Sequence, residues 1–191
     1  MPKFDLRYIQ IAKYVNTSGT ISYTDKTSIG DAMGVDITYK SAEGSVYAEG
    51  VRAEFIKKLV GGSISIAEKY IPTAAHKLMF GSRDGSRTVN TNVTVTGTKL
   101  GGNDVPKYVG VSFFAPTMID GVEKYYCVFI RRALFGPPNM SVKTMGETIN
   151  FDTPTVTGEF LADNSSNLEI IEDGIATSMP DAKAWCDAVL T

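Results

Sequence analysis

The sequence predicts a mainly β fold, and three observations carry that prediction. Nine Tyr, nine Phe and eighteen Gly stand beside many Thr and Val, a composition that suits pleated surfaces and tight turns better than helices. Several segments alternate apolar and polar residues at period two. Clusters of Gly, Pro, Asn and Asp punctuate the chain between them. At 191 residues and 43% hydrophobic side chains, the chain has material for a core of ordinary size and reads as one globular domain, with room for arms.

Residues 6–15 broadly alternate, Leu6, Tyr8 and Gln10 against Arg7, Ile9 and Ile11, as in a strand or an extended arm near a packed surface. Turn residues at Thr17-Ser18-Gly19 and Gly30-Asp31 lead to Val35-Asp36-Ile37-Thr38-Tyr39, a half-buried strand by its period. Its expected partner is residues 59–66, where Gly61-Gly62 precedes Ser63-Ile64-Ser65-Ile66. The intervening residues 40–58 are too long for a tight hairpin, and Val46, Tyr47, Val51 and Phe55 make them too apolar for a solvated loop. They are expected to form a long partner-binding loop.

Pro72 at a first turn and Gly81 as a stop frame a helix over residues 71–81, with Ala75, Leu78 and Met79 on one face. A turn-rich stretch over residues 81–86 follows, then alternation over 91–96 and a turn at Gly101-Gly102-Asn103-Asp104, together a second hairpin-like region. The strongest strands are residues 108–114 and 123–135, joined through Asp120-Gly121. Gly136-Pro137-Pro138-Asn139 ends that hairpin, and a last strand is expected over 148–162 with Pro154 at an edge or bulge. Ser178-Met179-Pro180-Asp181 resembles a capping box ahead of a short terminal helix, whose stripe is Ala182, Trp185 and Val189.

Net charge and residue inventory exclude several functions. A formal charge of -2 does not suit a domain that grips nucleic acid. Two cysteines, Cys127 and Cys186, indicate neither a disulfide framework nor a cysteine metal site, and suit a reducing cytoplasm. The N-terminal residues lack the apolar stretch and cleavage site of a signal peptide, and no segment reaches the ~20 apolar residues of a membrane span, so a soluble protein is expected. The lone His76 reads as structural, which removes the usual nucleophile–imidazole pairs. Glu169, Glu172 and Asp173 match no calcium loop and read as a solvated acidic surface. Gly61-Gly62 and Gly101-Gly102 lack the context of a phosphate loop and read as turns or bulges. Arg131 and Arg132, adjacent on a strand, point to opposite faces, leaving one of them to pair with a carboxylate at a subunit contact. No enzyme, cofactor or metal is expected.

Three passages resemble the major tail proteins of long-tailed bacteriophages, the subunits that stack into a tail tube. These are Ser45-Val46-Tyr47-Ala48-Glu49-Gly50 leading to Gly61-Gly62-Ser63-Ile64-Ser65-Ile66; Tyr108-Val109-Gly110-Val111-Ser112-Phe113 with Lys124-Tyr125-Tyr126-Cys127-Val128-Phe129; and Phe151-Asp152-Thr153-Pro154-Thr155-Val156-Thr157-Gly158-Glu159-Phe160. The last is the most specific, matching a Thr-Pro-x-x-x-Gly-x-Phe phrase. Gly136-Pro137-Pro138 and the final helix depart from the pattern.

The resemblance implies a β-sandwich or barrel of tail-tube type over residues 1–165, with an N-terminal arm, a flanking helix and the long loop 40–58, followed by a C-terminal extension over 166–191. It implies a virion protein, built in the bacterial host cytoplasm, that self-assembles as hexameric rings stacked into a tube. Its implied partners are further copies of itself, a tape-measure protein, and initiator and terminator proteins, with DNA passing the lumen without specific binding. In that setting Val46, Tyr47, Val51 and Phe55 would bury against the adjoining ring, each buried aromatic contributing about 2 kcal/mol. Glu49, Arg52 and Glu54 would set register by charge. Residues 35–39 and 59–66 would line the lumen, Asp36 would face it, and the lining would be acidic. The alternative from another class is a monomeric β-sandwich binding or adhesion module, which the same strands allow.

Overall fold

The computed structural model describes residues 3–48, 51–90, 93–140 and 153–191. The fold is mainly β, a β-sandwich with two helices. β1 (Arg7–Thr17) and β2 (Thr20–Ser28) form a hairpin across Ser18 and Gly19, both at positive φ, the backbone that a tight two-residue hairpin turn requires. β3 (Ala32–Ala48) and β4 (Val51–Glu68) form a second, much longer hairpin. α1 (Thr73–Phe80) is followed by the β5 (Arg83–Asn90) and β6 (Val93–Lys99) ribbon. β7 (Val109–Ile119) and β8 (Val122–Phe135) pair across Asp120-Gly121, again at positive φ, as the Asp-Gly pair predicts. β9 (Thr155–Leu161), β10 (Ile171–Ala176) and α2 (Met179–Ala188) complete the chain.

The main sheet runs β2-β1-β7-β8-β9-β4-β3, every pairing antiparallel. β8 is shared: residues 125–130 pair with β10, and residues 133–135 pair with β9. Dividing its partners in this way lets the sheet fold over on itself. Ile9 and Ile11 of β1, Val109, Val111 and Phe113 of β7, and Val128 and Ile130 of β8 then meet Ile64, Ile66, Val156 and Phe160 of β4 and β9 in one core. α1 seals that core with Ala75, Leu78, Met79 and Phe80, starting after Pro72 and stopping at a left-handed Gly81. α2 covers the other face of β7 and β8. Its buried residues are Ala182 and Cys186, with Leu190 buried just past its end, while Trp185 and Val189 pack beside them partly exposed. The Ser178 hydroxyl accepts a hydrogen bond from Asp181 N at 3.3 Å, so the predicted cap is present.

Four readings of the sequence change. The described residues among 40–58 form no long loop: the β3–β4 ladder continues from Lys40↔Gly61 to Ala48↔Val51, its register shifting at bulges at Lys40/Ser41 and Val46/Tyr47. The stretch over 81–86 is turn only at its start, because β5 begins at Arg83. β2 and β10 are additional strands at sheet margins. The last strand starts at Thr155, just after Pro154, while the part expected over 148–152 lies outside the described residues.

Candidate functional site

The β3–β4 hairpin has two parts with different surroundings. Residues 32–40 of β3 and 61–68 of β4 belong to the sandwich, where β9 pairs with β4 from Ala67↔Thr155 to Gly61↔Leu161. Beyond Gly61 the third strand ends, and residues 41–47 and 52–60 continue as a two-stranded ribbon exposed on both faces. The change occurs at the Lys40/Ser41 bulge, and a bulge bends and twists a ladder where it sits. Gly61 and Gly62 make this junction possible. A side-chain carbon at Gly62 would run into the Thr38 carbonyl and the Phe160 ring, and one at Gly61 would strike the Phe160 carbonyl. The bulge reading of this pair is correct.

Pairing register assigns the ribbon residues to faces. Ser45↔Phe55 and Tyr47↔Arg52 share one face, where the Arg52 guanidinium lies 3.8 Å from the Phe55 ring centre. The ion pair Lys57–Glu43, at 2.6 Å, stands on that face too. Val46↔Glu54 and Gly44↔Ile56 share the opposite face. The ribbon therefore divides the expected set, with Tyr47 and Phe55 on one side and Val46 on the other. Val46, Tyr47, Phe55 and Ile56 are 60%, 67%, 49% and 58% exposed. Val51 pairs with Ala48, and Glu49 lies outside the described residues. Ile56, Leu59 and Val60 also expose apolar surface. Their signal in the sequence was the unalternated run Phe55-Ile56-Lys57-Lys58-Leu59-Val60.

Below the junction the three strands β3, β4 and β9 present two unlike faces. Val35, Ile37, Ile64, Ile66, Val156 and Phe160 turn to the core. Asp36, Thr38, Ser63, Ser65, Thr157 and Glu159 lie on the outer side, joined by the Lys40–Glu159 ion pair at 2.6 Å. Asp36 is exposed there, opposite Ser65. Neither helix packs on these strands to any extent; α1 lies against β1, β2, β6 and β8, and α2 against β1, β7, β8 and β10.

Glu68 continues the inward-facing series Ile64, Ile66 and is wholly out of solvent, at the root of the hairpin opposite Ala32. Neither carboxylate oxygen has a hydrogen-bond partner among the described residues. Burial alone pushes its pKa up to about 8, because water no longer stabilises the charged form.

Arg131 is not left for a subunit contact. Its guanidinium is held within the chain by Glu169, by Glu172 at 3.0 Å and by the fully buried Asp163 at 3.7 Å. Glu169 and Glu172, 41% and 43% exposed, are thus partners of a cation at a solvated acidic surface, on which Asp173 is also exposed. Asp163 also accepts from Ser165 N and Glu169 N, tying down the turn between β9 and β10. Arg132 points elsewhere, stacking 4.0 Å over the Tyr108 ring, so the opposed-face reading of this pair holds. The His76 Nδ1 shares a 2.7 Å hydrogen bond with the Ser82 hydroxyl, its ring edge-on to Phe80, and burial lowers its pKa. Among the described residues, no three His, Cys, Asp or Glu converge to hold a metal ion, and no helix is long and apolar enough to cross a membrane.

No protein-family model matches the chain, and no curated protein is significantly similar to it.

Proposed function

We propose that this chain is a structural subunit of a bacteriophage tail, self-assembling as hexameric rings that stack into the tube through which DNA passes. One observation carries the reading: a β-ribbon leaves the sandwich at a bulge and holds Val46, Tyr47, Phe55 and Ile56 in solvent. Apolar side chains on a marginal two-stranded ribbon favour burial against a neighbour. Stacking would supply that neighbour, with Arg52 and Glu54 setting register at the contact.

Two further features support it. Among the described residues, β2 and β3 end the sheet and keep one side unpaired, and head-to-tail contacts around a ring are one way to protect such edges. The polar outer face of β3, β4 and β9, with Asp36, suits a channel wall that DNA slides past. Tape-measure, initiator and terminator proteins are the partners that such a tube requires.

Negative-stain electron microscopy of concentrated protein tests the reading, beside a Tyr47→Ala/Phe55→Ala variant. Rings or hollow tubes from the parent chain, lost in the variant, are the expected result. Small particles alone, with monomer mass in sedimentation at the same concentration, would move the reading to a monomeric binding module.

A further inference from the structure

The chain contains only two cysteines, and both lie in one small buried cluster. Cys127 lies on β8, and Cys186 on α2, far apart in sequence. Both are buried, at 1% and 0% exposure, in one small cluster with Phe114 and Ala182, and both are free thiols. The helix is set in place from several sides. Ser112 Oγ donates to the Cys186 carbonyl at 3.0 Å, Tyr8 OH donates to both Asp187 oxygens at 3.1 Å, and Lys26 Nζ reaches Asp187 at 2.9 Å. Tyr8 reaches α2 from a bulged position of β1 at a φ of 58°, a backbone that a tyrosine seldom adopts.

We infer that Cys127 and Cys186 are a built-in disulfide site, a clasp whose closure fastens the C-terminal helix to the central strand of the sandwich. The two side chains belong to the same four-residue buried cluster, where the Cys127 Sγ donates to the Tyr125 carbonyl at 3.7 Å. The neighbouring Cys186 thiol lowers the Cys127 pKa, and Cys127 together with burial raises that of Cys186. Cys127 is therefore the first nucleophile.

The oxidant is a small-molecule disulfide. The Cys127 thiolate attacks one of its sulfurs and expels the other as a thiolate, leaving a mixed disulfide. Cys186, having lost its proton, attacks the Cys127 sulfur and expels the second small thiolate. Two protein thiols give up two protons and two electrons, and one small disulfide becomes two thiols. The helix lies on the outside of the sandwich with Trp185 and Val189 only partly buried, and such peripheral elements open locally at less cost than the core. Opening admits the oxidant, and re-docking brings Cys186 onto the mixed disulfide. The closed bond encloses β9, β10 and α2 in one covalent loop.

The test treats the full chain, native and also refolding from urea, with excess oxidised glutathione at pH 8. Loss of both titratable thiols is expected, with loss of two hydrogens in intact mass and a peptide map joining Cys127 to Cys186. The melting temperature is expected to rise by about 10 °C, since the loop is long, and to return on reduction. The variants Cys127→Ala and Cys186→Ala should show no such rise; if either fails to fold, the peptide map of the parent chain decides alone. Two free thiols after both treatments, a persistent glutathione adduct, a bond between chains, or a bond that leaves the melting temperature unchanged or lower would each overturn the inference.

Discussion

Replacing Glu68 by Gln should change the pH dependence of stability, in a direction set by burial. In the folded chain the carboxyl is wholly out of solvent, without a hydrogen-bond partner among the described residues, and titrates at about 8 rather than the ordinary 4.5. The folded state therefore holds this proton more tightly than the unfolded state. Below pH 4.5 both states are protonated, and Glu68 adds no pH dependence. Between pH 4.5 and 8 the unfolded chain gives up the proton and the folded chain keeps it, so stability falls as pH rises. The slope is about 1.4 kcal/mol per pH unit, which reaches about 3 kcal/mol at pH 7 and about 5 kcal/mol above pH 8.

Glutamine fills the same volume and carries no charge, so the variant lacks this slope while retaining a buried polar group. Urea denaturation of both chains at pH 5, 6, 7 and 8 isolates the effect, since every other titrating group is common to both. Relative to the parent, the variant should gain about 4 kcal/mol between pH 5 and pH 8. Parallel stability profiles, within about 0.5 kcal/mol over that range, would refute the reasoning and mean that Glu68 is solvated or paired.

Further substitutions probe the hairpin junction, the Arg131 ion cluster and the cap of α2. Gly62→Ala should cost about 3 kcal/mol by urea denaturation, because the new methyl meets the Thr38 carbonyl on one side and the Phe160 ring on the other. Arg131→Met should cost about 3 kcal/mol, chiefly by leaving the buried Asp163 without its cation, and Asp163→Asn in the same chain should recover part of that loss in a double-mutant cycle. Ser178→Ala should lower stability by about 1 kcal/mol in thermal melts, with Ser178→Asp close to the parent.

What was legible in the sequence was what local geometry or one buried face dictates. Pro72 and Gly81 bracket α1 because a proline suits a helix start and a left-handed glycine suits its end. Asp120-Gly121 marks the β7–β8 turn because both residues need positive φ. Val35 and Ile37 pair with Ile66 and Ile64 as their alternation requires, since one side of that hairpin must meet the core. β2 buries little beyond Tyr23, and β10 contains Glu172, Asp173 and Gly174, so neither edge segment displays a period. The ion cluster around Arg131 depends on a contact between β8 and the turn before β10, which no spacing in the chain announces. Glu68 was within reach: it stands two residues past Ile66, on the inward series of a strand whose alternation was already evident.

The ribbon over residues 41–48 and 51–58 was misread as a loop for a reason that also bears on what it does. A strand with solvent on both sides has no inward face, so its sequence carries no period-two pattern, and its order comes from backbone pairing and from cross-strand contacts such as Glu43 with Lys57. Such a ladder is marginal by itself. Apolar surface on it adds nothing to the isolated fold, yet Tyr47 and Phe55 occupy one face while Val46 and Ile56 occupy the other. A flat partner surface would bury one of these pairs and leave the other wet. The arrangement fits a slot with two walls, which the proposed stacking of rings would have to supply. Under that proposal, the division of the apolar residues between two faces, which looks like poor patterning within one chain, would be the pattern of a ribbon inserted between two others.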